Sequence, residues 1–150
     1  MRINEITELE RELLSALKEE YSFYQSLYIL IDRQRDIIKF EKDEKLLDLF
    51  TEIERCHVRL KQSEEKIVFM REKNTKLFPL AATAPEVRKV VTSIITLIRK
   101  NMNIVKENEE YLRERHDRVR SELDSLQNSS KIMKYLRETP QTAQFVDSKN

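Results

Sequence analysis

The sequence predicts an all-α fold: an elongated antiparallel bundle of long helices, hairpin-like or coiled-coil-like in its packing, that ends in a flexible C-terminal tail. Three observations predict it. None of the 150 residues is glycine, the residue that most often supplies turns and helix stops. Apolar side chains recur every three or four positions through three long blocks, the period of a helix with one buried face. Charged residues make up 37% of the chain against 39% hydrophobic, which is thin for a globular core but sufficient where each helix buries a single stripe.

The first block carries Ile6, Leu9, Leu13, Ala16, Leu17, Tyr21, Tyr24, Leu27, Tyr28, Leu30, Ile31 and Ile38 on one broad face, predicting a helix over about 3–39. Lys39-Phe40-Glu41-Lys42-Asp43 breaks the rhythm, and Asp43 has the character of an N-cap for a helix over about 43–75. With no glycine or proline there, the junction reads equally as a tight corner or a kink. In the second block Leu46, Phe50, Ile53, His57, Leu60, Glu64, Ile67 and Arg71 follow spacings of four and three. Three of these positions are polar, so packing is expected to loosen toward the end.

The strongest boundary is Leu77 to Pro85, a loop in which Pro79 and Pro85 flank small residues; either proline inside a helix would cost about 3 kcal/mol. Thr83 and Glu86 have capping-box spacing, and Pro85 suits a first turn, so a third helix is expected over about 84–127. Its heptad seam runs Val87, Val91, Ile94, Ile98, Asn101, Val105, Asn108, Leu112, Arg115, Val119, Glu122 and Leu126, roughly 60 Å at 1.5 Å per residue. Gln127 to Ser130 weakens the helix, a short one is expected at about 131–137, and Pro140 is expected to stop any continuation. One helical domain over 1–136 and a tail over 138–150 result. Phe145 and Val146 are apolar residues that such a tail could use on binding.

Several function classes lose support. Without glycine there is no phosphate loop, no dinucleotide fingerprint and no glycine-dependent nucleophile elbow. Lys plus Arg number 28 against 27 Asp plus Glu, and the two signs interleave, so no field draws the chain to nucleic acid or an acidic membrane. The single cysteine, Cys56, excludes an internal disulfide and a multi-thiolate zinc site. Its neighbour His57 lies about 100° away on a helix, and His116 is distant, so neither metal binding nor nucleophilic catalysis is indicated. The carboxylates sit on helices with no loops to enclose them, which leaves acid–base chemistry without a pocket. The sequence points to a non-enzymatic protein with no cofactor and no membrane insertion. The start of the chain has no apolar leader, and cytoplasmic residence is expected.

Three features remain as candidates. Asn101 and Asn108, seven apart, read three ways: register-setting polar residues in a core, members of an exposed seam, or amides facing a partner helix. Tyr21, Tyr24 and Tyr28 read as half-buried packing or as a partner contact. The last third combines an incompletely apolar seam with an apolar cluster and tail, a surface suited to an amphipathic partner helix.

Over nearly its full length the chain resembles the FlgN family of flagellar export chaperones. The resemblance is carried by Leu13-Leu14-x-x-Leu17-x-x-Glu20, by Ile37 to Leu47 with Asp43 before Leu46, by Asn108-Glu109-Glu110-Tyr111-Leu112 continuing to Leu123-Asp124-Ser125-Leu126, and by the ending Phe145 to Lys149. Tyr135 falls where the family has a C-terminal tyrosine linked to docking on the export gate. Val105 stands where the family often has asparagine. Leu136 replaces a common glycine after the tyrosine and would prolong the helix. The resemblance implies a cytosolic type III export chaperone that holds the C-terminal amphipathic helices of hook–filament junction proteins and delivers them to the flagellar export gate. With the periodicity it places client binding on Asn108, Tyr111, Leu112, Arg115, Val119, Leu123 and Leu126, and gate docking on Tyr135. A self-associating structural coiled coil, as a homodimer, and a sibling export chaperone for another secreted client are the alternatives.

Overall fold

The computed structural model describes the backbone of residues 2–147 and the side chains of residues 3–138. Its elements are α1 (Arg2–Lys39), a 3-10 turn (Asp43–Lys45), α2 (Leu46–Lys73), a short α3 (Phe78–Ala82) and α4 (Pro85–Asp147), with no strand among the described residues. The chain divides into two compact units, Met1–Glu109 and Glu110–Asn150, rather than a single domain over 1–136.

Unit 1 is built on α1. Two clusters lie along it. Near its start Leu9, Leu13 and Leu17 pack with Ala81, Val87 and Ile94, joined by the half-buried Ile67 and Met70. In its second half Leu27 and Ile31 pack with Leu49, Ile53, Cys56, Leu60 and Ile104. The start of α1 therefore meets the end of α2, so these two are antiparallel, as short connections require. α4 runs parallel to α1, because Leu17 meets Ile94 at the near end and Leu27 meets Ile104 further along. Two long hydrogen bonds mark that register: Asn101 Nδ2 donates to the Tyr24 carbonyl and Asn108 Nδ2 to the Ile31 carbonyl, each at 3.5 Å and each across 77 positions.

Of the expected seams, Ile53, Leu60 and Ile67 on α2 and Val87, Ile94, Asn101 and Asn108 on α4 do face inward, while members between them give way to the preceding residue. On α2 the inward residues are Leu49, Ile53, Cys56, Leu60 and Ser63, continued by Ile67 and Met70; Phe50, His57, Glu64 and Arg71 are exposed. On α4 they are Val87, Ile94, Asn101, Ile104 and Asn108, with Val90 half-buried, whereas Val91 and Val105 are exposed. On α2 this phase turns Cys56 inward in place of His57, Ser63 in place of Glu64 and Met70 in place of Arg71, and so avoids desolvating charge. Burial falls off toward the end of α2 as expected, since Leu49 to Ser63 are buried whereas Ile67 and Met70 are only half-buried.

α1 closes in a Schellman motif: Lys42 N–H donates to Ile37 O at 2.9 Å and Glu41 N–H to Ile38 O at 3.3 Å, with Glu41 at φ 58°. That left-handed position usually takes glycine; a side chain there costs roughly 1–2 kcal/mol. The junction is thus a true corner, and Asp43 opens the 3-10 turn instead of capping α2, whose N-cap is Lys45. The Leu77–Pro85 segment is not a plain loop. It holds α3, with Pro79 in its first turn and Ala81 fully buried against α1. No capping box forms, since the Thr83 hydroxyl donates back to Leu80 O at 2.7 Å and α4 starts at Pro85.

α4 continues through Gln127–Ser130 and past Pro140 to Asp147. Those four residues are weak helix formers rather than breakers, and Leu136 prolongs the helix where a glycine would have ended it. The backbone of the expected tail is thus helical over 138–147, while side chains from residue 139 on, Phe145 and Val146 among them, and the backbone of 148–150 lie outside the described residues.

Candidate functional site

Within unit 2 the described residues lie on α4, and its apolar side chains face solvent: Leu112 is 38% exposed, Val119 58%, Leu123 53%, Leu126 68% and Met133 65%. Their spacings of seven, four, three and seven place them on one stripe. Four or five large apolar residues aligned on one face are more than scattered surface hydrophobics require, and such a stripe has the form of an interaction surface. Arg113 and Arg120 each stand one residue after a stripe member and run along one edge; no described ion pair involves either.

Of the residues expected to bind a client, Leu112, Val119, Leu123 and Leu126 share this stripe. Arg115 borders its other edge and Tyr111 lies further round, both half-buried. Asn108 does not join them. It is 4% exposed and lies in unit 1, where its Nδ2 donates to Gln34 Oε1 at 3.2 Å as well as to Ile31 O. It is therefore a core residue and not part of a groove rim. Asn101 and Asn108 are buried core amides facing α1 and not members of an exposed seam, a choice the periodicity could not make because a buried and an exposed asparagine look alike in sequence. Met133 was missed, although it stands seven residues after Leu126, because the helix was expected to weaken between them. Tyr135 is 66% exposed, two residues on from Met133 and so about 200° round the helix, on the face opposite the stripe.

The remaining polar features belong to unit 1. Tyr24 hydroxyl donates to Glu64 Oε1 at 3.3 Å; burial first, then the Glu64 and Glu20 charges, push its pKa up to about 12. Burial, then the Glu64 charge, raises the Glu20 carboxyl. Cys56 is buried and donates its thiol to Phe23 O at 3.2 Å, and burial raises that thiol too. Among the described residues no three His, Cys, Asp or Glu side chains are grouped to hold a metal ion, and no helix is long and apolar enough to cross a membrane. Compared with known proteins, the chain matches no family model, no curated protein and no solved structure.

Proposed function

We propose that the chain is a non-enzymatic, cytoplasmic export chaperone of FlgN type that holds the C-terminal amphipathic helix of a hook–filament junction protein on the stripe Leu112, Val119, Leu123 and Leu126. The observation that carries the reading is the exposure of that stripe along unit 2. A client helix that polymerises outside the cell carries its own apolar edge, and laying the two edges together removes both from water. Covering one large aliphatic side chain returns roughly 1.5–3 kcal/mol. Four such anchors return roughly 6–12 kcal/mol, of which association takes several, so the stripe alone supports a complex no tighter than about micromolar, weak enough to release. Arg113 and Arg120 would favour carboxylates along the client's flank. Tyr135, on the opposite face, would leave gate docking and client holding compatible on one helix.

The test is a calorimetric titration of the chain with the C-terminal helix of a junction protein from the same organism, repeated with Val119→Asp and Leu123→Asp together. The double substitution is expected to abolish binding while helicity stays unchanged. Unaltered affinity would sink the stripe as the client site. The sevens-spaced residues Leu112, Val119, Leu126 and Met133 favour one second reading, a homodimer through the same stripe. A sedimentation series separates the two, since a dimer gains mass with concentration alone. A sibling chaperone for another secreted client differs only in partner.

A further inference from the structure

Unit 1 holds a surface that this reading leaves unused. On one side of α1 the helices α2 and α4 stand apart, and two cavities open between them. The lower, about 400 Å³, is floored by Leu27 and Ile31 and walled by His57 from α2 and by Ile98, Met102 and Val105 from α4. The upper, about 410 Å³, is floored by Leu13 and Leu17, walled by Ile67 and Val91, and bounded at its end by Phe78 and Ala82 of α3. Between them they follow α4 from Val87 to Glu109, roughly 33 Å at 1.5 Å per residue. Apolar side chains on the α4 wall face solvent, with Met102 53% exposed and Val105 39%. Three helices around an open apolar cleft have the arrangement of a four-helix bundle that lacks one member.

We propose that this cleft is a second docking site, separate from the stripe in unit 2, and that it takes one amphipathic helix of another protein whose flank facing α4 carries carboxylates. Charge identifies the occupant. Arg99 and Lys106, seven apart, each stand one residue after a cleft-lining side chain, Ile98 and Val105. They form a basic edge, and no described ion pair involves either. Arg88 adds a third cation at the upper cavity. Of the carboxylates close by, Glu64 already accepts the Tyr24 hydroxyl, Glu20 beside the same tyrosine is buried, and Glu109 stands at the far end of the lower cavity. An acidic flank would therefore find unmatched partners along most of the length, and a basic one would be repelled. A second copy fits poorly. Over Val87 to Asn108 its α4 is backed by its own α1, and in antiparallel pairing Arg99 and Lys106 would face their counterparts.

The test uses the full chain carrying Val119→Asp and Leu123→Asp, so that the unit 2 stripe cannot contribute. Two fluorescent amphipathic peptides of about 22 residues, enough to span the cleft at 1.5 Å each, share leucines at spacings of three and four. One carries a glutamate flank, the other a lysine flank. The glutamate peptide is expected to bind at least tenfold more tightly, and Arg99→Glu with Lys106→Glu, both at the surface, is expected to invert the preference. Equal affinity for the two peptides, no binding of either, or a preference that survives the charge reversal would overturn the proposal, as would exclusion of the peptides by self-association. Because the stripe is already disabled, failure here leaves the client site untouched, and failure of the client titration leaves this site standing.

Discussion

Replacing Asn101 and Asn108 one at a time by leucine should have opposite consequences, although both amides sit in the same seam seven residues apart. Each carries an Oδ1 that is buried without a partner, and removing such an atom returns roughly 1–3 kcal/mol. The leucine adds similar apolar contact, and similar strain, at both sites. The difference lies in what each Nδ2 leaves behind. Asn101 has one bond, to Tyr24 O at 3.5 Å, a length at which little energy remains, and that carbonyl keeps its place within α1. Asn108 has a second bond, at 3.2 Å to Gln34 Oε1, and Gln34 is itself buried. Its loss forfeits about 1 kcal/mol and strands the glutamine oxygen at a further cost of roughly 1–3 kcal/mol. Asn101→Leu is therefore expected to raise stability by about 1 kcal/mol, and Asn108→Leu to fall about 2 kcal/mol or more below it. Urea unfolding followed by circular dichroism measures the gap, and Gln34→Leu on top of Asn108→Leu should close most of it. Shifts for the two single variants that agree within about 0.5 kcal/mol would refute the account of the core amides.

Glu20 and Cys56 give two further outcomes. The Glu20 carboxyl is raised in the folded state, so folding binds its proton more tightly than the unfolded chain does; the group has no effect where both states are protonated and destabilises as pH rises through and above the unfolded value. Glu20→Gln should thus raise the melting temperature near neutral pH and change it little below about pH 4, and an equal shift at both would contradict the assignment. The Cys56 thiol, buried and raised, has little thiolate at neutral pH. Ellman's reagent should label it only as fast as unit 1 opens, with labelling accelerated by urea; immediate labelling of the folded chain would contradict its burial.

Much of the fold is legible in the residues. The first helix, the break at Phe40–Asp43 and the boundary at the two prolines follow from apolar spacing and from where proline can stand. The phase of the seams is not. Periodicity locates the centre of an apolar stripe, and where a cleft is left open the stripe is wider than the buried seam, so Leu49 and Phe50, or Val90 and Val91, compete as inward residues. The neighbour decides between them, and the sequence of one helix does not carry that. For the same reason Asn108 reads as a groove residue until Gln34 and Ile31 are placed around it. The stripe Leu112 to Leu126 is legible because nothing in unit 2 competes for it. Glu41 in a left-handed conformation is illegible for the opposite reason: the absence of glycine removes the usual sign of a Schellman corner.

The central claim is that the client helix lies on unit 2, and amide hydrogen exchange along the full chain, alone and saturated with the junction-protein helix, tests it most directly. The account predicts slowed exchange over residues 110–136 with little change over 85–105. Protection confined to unit 1, or none anywhere at saturation, would contradict it.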